Sequence, residues 1–140
     1  PNRFKVAFLA EQYRMHSYVA SIANKVVYDN KLINKTSLWP IKKCQEIFGI
    51  LALVNTENLR PICHRTEEFS RFNLSHTLLC LLFAKIFLAE GMHCEQLSVI
   101  TPYRAQARLL RKILTDFGLE AINCSTVHKF QGREKRSDYL

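Results

Sequence analysis

The sequence predicts an α/β domain, a mostly parallel sheet flanked by helices. Three observations carry this. Short apolar stretches alternate along the chain with longer helical patterns, the order that parallel βα units require. Two of the helical patterns stop at a glycine, Gly91 and Gly118, where a helix C-terminus favours a left-handed residue. Polar clusters follow the strands, and ligands of open α/β sheets bind at the carboxyl ends of strands.

Each element has its own signal. Phe4 to Leu9 is apolar with β-branched and aromatic character, a predicted strand, followed by the polar stretch Glu11 to His16. Ser17 is placed to cap a helix reaching about Tyr28, with Val19, Ile22, Ala23 and Val26 on its inward face. Asp29 to Gly49 mixes Asn30, Asn34 and Pro40 and predicts an irregular excursion. Ile50 to Val54 predicts a second strand, and Asn55 to Asn73 a polar loop. Ser75 to Glu90 is apolar on nearly every side and predicts a buried helix ending at Gly91. Leu97 to Ile100 predicts a third strand. Ala105 to Phe117 is amphipathic, with Leu109, Leu110, Ile113, Leu114 and Phe117 facing inward and Gly118 ending it. Ala121 to Cys124 predicts a fourth strand, running into Ser125, Thr126 and a short turn.

Composition narrows the function. The chain has 140 residues, 48% of them hydrophobic and 23% charged, enough for one domain with a core and too apolar for disorder. A formal net charge of +8 favours a polyanionic partner, nucleic acid or nucleotide phosphates. The five cysteines, Cys44, Cys63, Cys80, Cys94 and Cys124, are odd in number, widely spaced and without a C-x-x-C. They predict a reducing compartment, cytoplasmic or nuclear, rather than a disulfide framework. Cys63-His64 and His93-Cys94 lack finger-like spacing, so no metal site is predicted. The start shows no signal-peptide pattern. The most apolar run, Leu78 to Leu88, is interrupted by Lys85 and too short to span a bilayer, so no membrane partner is expected.

Three polar clusters could carry chemistry. In Gln12-Tyr13-Arg14-Met15-His16, an arginine just past a strand can reach a phosphate with its planar fork, and a tyrosine can stack on a base. Alone, these five residues read rather as a surface arginine beside a half-buried tyrosine. In Ile100-Thr101-Pro102-Tyr103-Arg104-Ala105-Gln106, Pro102 stops a strand and a helix begins, so exposed amides and a hydroxyl gather where phosphates bind. Arg104, Arg108 and Arg111 then form a stripe that tracks a nucleic-acid backbone or is a solvated face. Ser125-Thr126-Val127-His128-Lys129-Phe130-Gln131-Gly132-Arg133-Glu134 combines hydroxyls, cations, a glycine and a carboxylate after a strand. His128 has no nucleophile or metal partner nearby in sequence, which removes it as a general base.

In order and wording, the three clusters resemble the second RecA-like domain of superfamily 1 helicases. The branch is the one containing the nonsense-mediated-decay helicase, senataxin and the Dna2 nuclease-helicase. The likeness runs from Phe8 to Lys135 and is most specific at Phe130-Gln131-Gly132-Arg133-Glu134. It implies a RecA-like P-loop NTPase fold and an ATP-dependent 5′–3′ DNA or RNA helicase as parent, working on ATP with Mg²⁺. By the same resemblance Arg14 would be the catalytic arginine finger on the γ-phosphate. Gln12, Tyr13, Gly132 and Glu134 would join Arg14 in binding ATP, with Tyr13 on the adenine and Glu134 on the ribose. Thr101, Pro102, Tyr103, Arg104, Ser125, Thr126 and His128 would lie along single-stranded or duplex nucleic acid.

The sequence also departs from the family. The Walker A loop and the acidic Mg²⁺ motif are absent, and are expected on a first RecA-like domain preceding Pro1, the partner in the motor. The later arginine motif is missing as well. His16 is followed by Ser17 where the family has proline. After Lys135 the family continues with an aspartate and an apolar strand, whereas this chain reads Arg136-Ser137-Asp138-Tyr139-Leu140, so a C-terminally truncated domain is expected. Residues 1–140 are thus expected to be half of a motor, inactive alone. The alternative is a non-catalytic remnant or truncated isoform that binds nucleic acid or a protein.

Overall fold

The computed structural model describes residues 7–36, 49, 51–60, 62–67 and 69–131. Two compact units, Pro1–Leu53 and Val54–Leu140, make up the chain.

In the first unit, strand β1 (Glu11–Gln12) pairs in parallel with β2 (Ile33–Asn34) across helix α1 (Ser17–Val27). The strand predicted over Phe4 to Leu9 is not found where it can be judged. Residues 4–6 lie outside the described residues, and Ala7 to Leu9 are not strand; pairing falls on the polar Glu11-Gln12 instead. Backbone hydrogen bonds, not apolar pattern, decide this: Ile33 N–H donates to Ala10 and Lys35 N–H to Gln12. The helix cap also shifts by one residue. His16 is the N-cap, its Nδ1 accepting from the Tyr18 N–H at 3.2 Å, and Ser17 is the first helical residue. The predicted inward face is corrected too. Among the described residues of α1 only Ala20 is buried, while Ile22 and Val26 are exposed. The return to β2 is built by Asp29 and Asn30 in left-handed conformation (φ +50° and +61°), a conformation these two residue types tolerate. Asn24 fixes it by exchanging two hydrogen bonds with the Leu32 backbone, at 2.9 and 2.8 Å. The predicted strand at Ile50 to Val54 is not present over residues 51–54, which are exposed; Ile50 lies outside the described residues.

The second unit holds the principal core. A hairpin, β3 (Cys63–Arg65) antiparallel to β4 (Arg71–Asn73), occupies what the sequence predicted as loop. It leads directly into α2 (Leu74–Ala89), then a 3₁₀ turn (Cys94–Gln96), β5 (Ser98–Thr101), α3 (Arg104–Asp116), β6 (Asn123–Thr126) and α4 (Val127–Phe130). β5 and β6 are parallel and in register, Ser98 beside Asn123 and Thr101 beside Thr126. β6 starts two residues later than predicted because Leu119 to Ile122 form the turn that brings it alongside β5. Gly91 (φ +89°) and Gly118 (φ +69°) take the left-handed positions after α2 and α3.

α3 lies between α2 and the β5–β6 pair. Its Ala107, Leu110 and Leu114 close a core with Leu81 and Ala84 of α2 and Ile122 and Cys124 of the β6 arm. Two burial expectations are corrected. Phe117 is 52% exposed rather than inward, and Lys85 of α2 lies over its ring at 4.5 Å from the centroid. α2 is apolar all round yet buries one side only: Thr77, Leu81 and Ala84 are buried, whereas Leu78 and Leu82 are exposed.

A buried polar cluster ties these elements together. The Gln106 side chain accepts the Asn73 N–H (2.6 Å) and donates to Thr77 Oγ1 (2.8 Å), and that hydroxyl donates to the Asn73 carbonyl (3.0 Å). Three elements, β4, α2 and α3, therefore meet at one amide. Gln106→Leu leaves the Asn73 N–H and the Thr77 hydroxyl short of partners and should lower unfolding free energy by about 2–4 kcal/mol. Urea denaturation checks this, and adding Thr77→Val should recover part of the loss.

Candidate nucleotide and nucleic-acid interface

The segment after β1 is organised by Gln12. Its Oε1 accepts the N–H groups of Arg14 (3.0 Å) and Met15 (2.8 Å), and its Nε2 donates to the Met15 carbonyl (3.0 Å) and to Asn34 of β2. Gln12 thus folds Tyr13 and Arg14 into a tight turn beyond the strand end, which leaves both residues exposed. A guanidinium and an aromatic ring are thereby presented side by side on a fixed backbone. The donor chemistry fits a nucleoside phosphate: a forked cation for oxygen, a ring for a base. Gln12 was expected among ligand-binding residues; in the structure its amide holds its own loop and Asn34 of β2.

Tyr13 has a second partner. Its hydroxyl donates to Glu11 at 2.5 Å, and Glu11 is also 3.6 Å from Lys35 Nζ. The Glu11 hydrogen bond, and after it the Glu11 charge, hold the Tyr13 hydroxyl above the usual tyrosine pKa. The ring is 68% exposed, so the hydroxyl is anchored while the ring face stays open.

The second and third clusters come together in the other unit. Thr101 and Thr126 are register partners at the carboxyl ends of β5 and β6. Thr101 is buried, and its hydroxyl accepts the Tyr103 N–H at 3.4 Å, shaping the turn through Pro102. Arg104 opens α3 and is exposed, as are Pro102 and Tyr103. The first turn of α3 is held from outside, since the Ala105 N–H donates to Ser70 Oγ at 3.0 Å. Ser125 is 8% exposed, and among the described residues its buried hydroxyl has no hydrogen-bond partner. Thr126 sits at the start of α4 without a side-chain capping bond, and His128 is exposed on that helix. Gly132 and Glu134 lie outside the described residues. Arg104, Arg108 and Arg111 lie on the exposed side of α3, with Arg111 Nε donating back to the Ala107 carbonyl at 3.2 Å.

Three residues that shape this edge carried no prediction: Ser70, Asn73 and Gln106. Gln106 had a signal, because it precedes Leu110 and Leu114 by four and eight residues and so interrupts an apolar stripe. Asn73 had one as well, an Asn just before an apolar helical run, where it caps α2 by accepting the His76 N–H at 3.2 Å; Ser70 had none, since its partner Ala105 is 35 residues away. Among the described residues no group of three or more His, Cys, Asp or Glu could hold a metal ion, and no helix is long and apolar enough to cross a membrane. Cys63 is exposed and free, Cys80 and Cys94 are half-buried and free, and Cys124 is buried and free.

Parallel strands joined by helices, with polar clusters at the strand ends, define an α/β domain of the RecA-like P-loop NTPase class. The AAA domain family matches residues 2–137, and the chain belongs to that family, as a superfamily 1 helicase-like domain. Three relatives illustrate the likeness. The DNA replication ATP-dependent helicase/nuclease DNA2 of Xenopus tropicalis is 26% identical over 96% of this chain and 15% of its own length. DNA polymerase alpha-associated DNA helicase A of Schizosaccharomyces pombe is 26% identical over 93% of this chain and 22% of its own. The mouse 5′-3′ DNA helicase ZGRF1 is 29% identical over 97% of this chain and 7% of its own. The chain therefore spans less than a quarter of the length of each of these relatives.

Two titrations follow from the geometry. Glu11→Gln should lower the Tyr13 midpoint, seen as earlier tyrosinate absorbance at alkaline pH. The Glu11 contact is complete below the ordinary tyrosine pKa and is lost as pH rises through the raised one. Burial, opposed by Arg111, raises the Cys124 thiol, so among the described cysteines a thiol reagent should modify Cys63 first and Cys124 last.

Proposed function

We propose that this chain is the second RecA-like domain of an ATP-dependent helicase. It would bind ATP and a nucleic-acid strand, and couple hydrolysis to movement along that strand. The observation that carries the reading is the pairing of Thr101 with Thr126 at adjacent strand ends, with Arg104 opening a helix beside them. Two segments distant in sequence there form one hydroxyl-rich, cationic edge, the chemistry that holds a phosphodiester backbone.

In this reading Arg14 is the catalytic residue, placing its guanidinium on the γ-phosphate as charge builds during transfer to water. Tyr13 stacks on the adenine, Gln12 positions both, and Gly132 and Glu134 complete the nucleoside contacts. ATP brings Mg²⁺, whose ligands are assigned to the first RecA-like domain, the chain's partner in the motor. Thr101, Pro102, Tyr103, Arg104, Ser125, Thr126 and His128 hold the strand. The relatives' names point to DNA as substrate and, for one of them, to 5′–3′ movement; both are proposals for this chain. The free thiols support a cytoplasmic or nuclear setting.

The test is strand-stimulated ATP hydrolysis by the parent protein. Arg14→Ala should cut turnover by about 10³-fold while strand binding is kept. An unchanged rate removes the finger assignment. The 140-residue chain alone should show no steady ATP turnover.

A further inference from the structure

We infer that the β3–β4 hairpin is a second single-strand contact, in which Arg65 and Arg71 take a phosphate and Phe69 stacks on a base. The inference rests on the strand-binding reading of the Thr101–Thr126 edge and extends it to a segment that the sequence presented as loop.

Four observations carry it. Arg65 and Arg71 are direct cross-strand partners of an antiparallel pair, so their side chains leave the hairpin on the same face. Like charges in that position repel, and among the described residues no carboxylate pairs with either. An anion between them would turn the repulsion into binding. Second, Phe69 is 77% exposed and takes φ +58°, a backbone region that an aromatic residue rarely occupies. The ring therefore stands at the surface on a backbone conformation that costs energy to hold. Third, the Arg65 guanidinium lies 4.8 Å from the Phe69 ring centroid, which fixes the ring beside the paired cations. Exposed ring and cation side by side are the parts from which single-strand platforms are built.

Continuity supplies the fourth. Ser70 and Asn73, on either side of Arg71, hydrogen-bond Ala105 and Gln106 in the first turn of α3. β4 therefore runs alongside the helix that Arg104 opens, so the hairpin extends the basic edge. The occupant that fits is a single strand, whose bases are free to stack, rather than a duplex or an acidic polypeptide.

The experiment is a fluorescence-anisotropy titration of labelled oligothymidylate with the 140-residue chain, over a series of salt concentrations. Arg65→Gln/Arg71→Gln should weaken binding by about 10-fold or more and make the log–log salt slope shallower by about 0.7, one single-strand phosphate contact. Phe69→Gly should weaken binding by about 10-fold with the slope unchanged. Both variants relieve strain or repulsion, so their melting midpoints should hold or rise, which separates lost binding from lost folding. Polyglutamate should compete poorly and should be insensitive to Phe69→Gly. If the wild type binds, Arg104→Gln weakens it, and neither hairpin variant matters, the hairpin assignment fails alone. If the wild type does not bind, the edge reading fails with it. Equal competition by polyglutamate overturns the choice of nucleic acid in favour of an acidic polypeptide.

Discussion

One buried amide organises the larger unit. Gln106 sits on the inward stripe of α3, where an apolar residue would serve packing better, and spends its hydrogen bonds on the Asn73 backbone and the Thr77 hydroxyl. A buried polar group is tolerated only when it is satisfied, so this arrangement admits one relative placement of β4, α2 and α3. Leucines at the same interface would allow sliding. Because α3 begins only two residues before Gln106, the placement also fixes where Tyr103 and Arg104 stand relative to β5.

The same device recurs on a smaller scale in the first unit. Gln12 holds the backbone of Arg14 and Met15 and reaches across to β2, so the turn bearing Tyr13 and Arg14 is set by a side chain rather than by packing. In both units a glutamine amide, which donates and accepts, is the natural clamp, because orphan N–H and C=O groups lie close together at strand ends. The residues proposed to meet phosphate and base then need no hydrogen bonds of their own to be positioned. Preorganisation of this kind lowers the ordering cost of binding.

Membership of the AAA domain family places the chain among helicase-like domains. The register of β5 and β6 shows how two of the three sequence clusters reach one edge. The exposed arginines of α3 give that edge positive charge, in keeping with a net charge of +8.

The sequence by itself determined the elements whose signals are local: helices α2 and α3, their glycine stops at Gly91 and Gly118, and strand β5 next to the polar cluster that follows it. It also carried the family's wording, which is linear by nature. Where pairing depends on distant backbone, the sequence misled. β1 formed on Glu11-Gln12 because Ala10 and Gln12 carbonyls face residues beyond a helix, and β3–β4 formed in a polar stretch because its cross-strand partners satisfy each other. Burial was likewise a tertiary decision. Leu78 and Leu82 share their helix with Leu81, yet only Leu81 meets α3. Apolar periodicity states that a face can be buried; which face is buried depends on what packs against it, and that is known only once the chain has closed on itself.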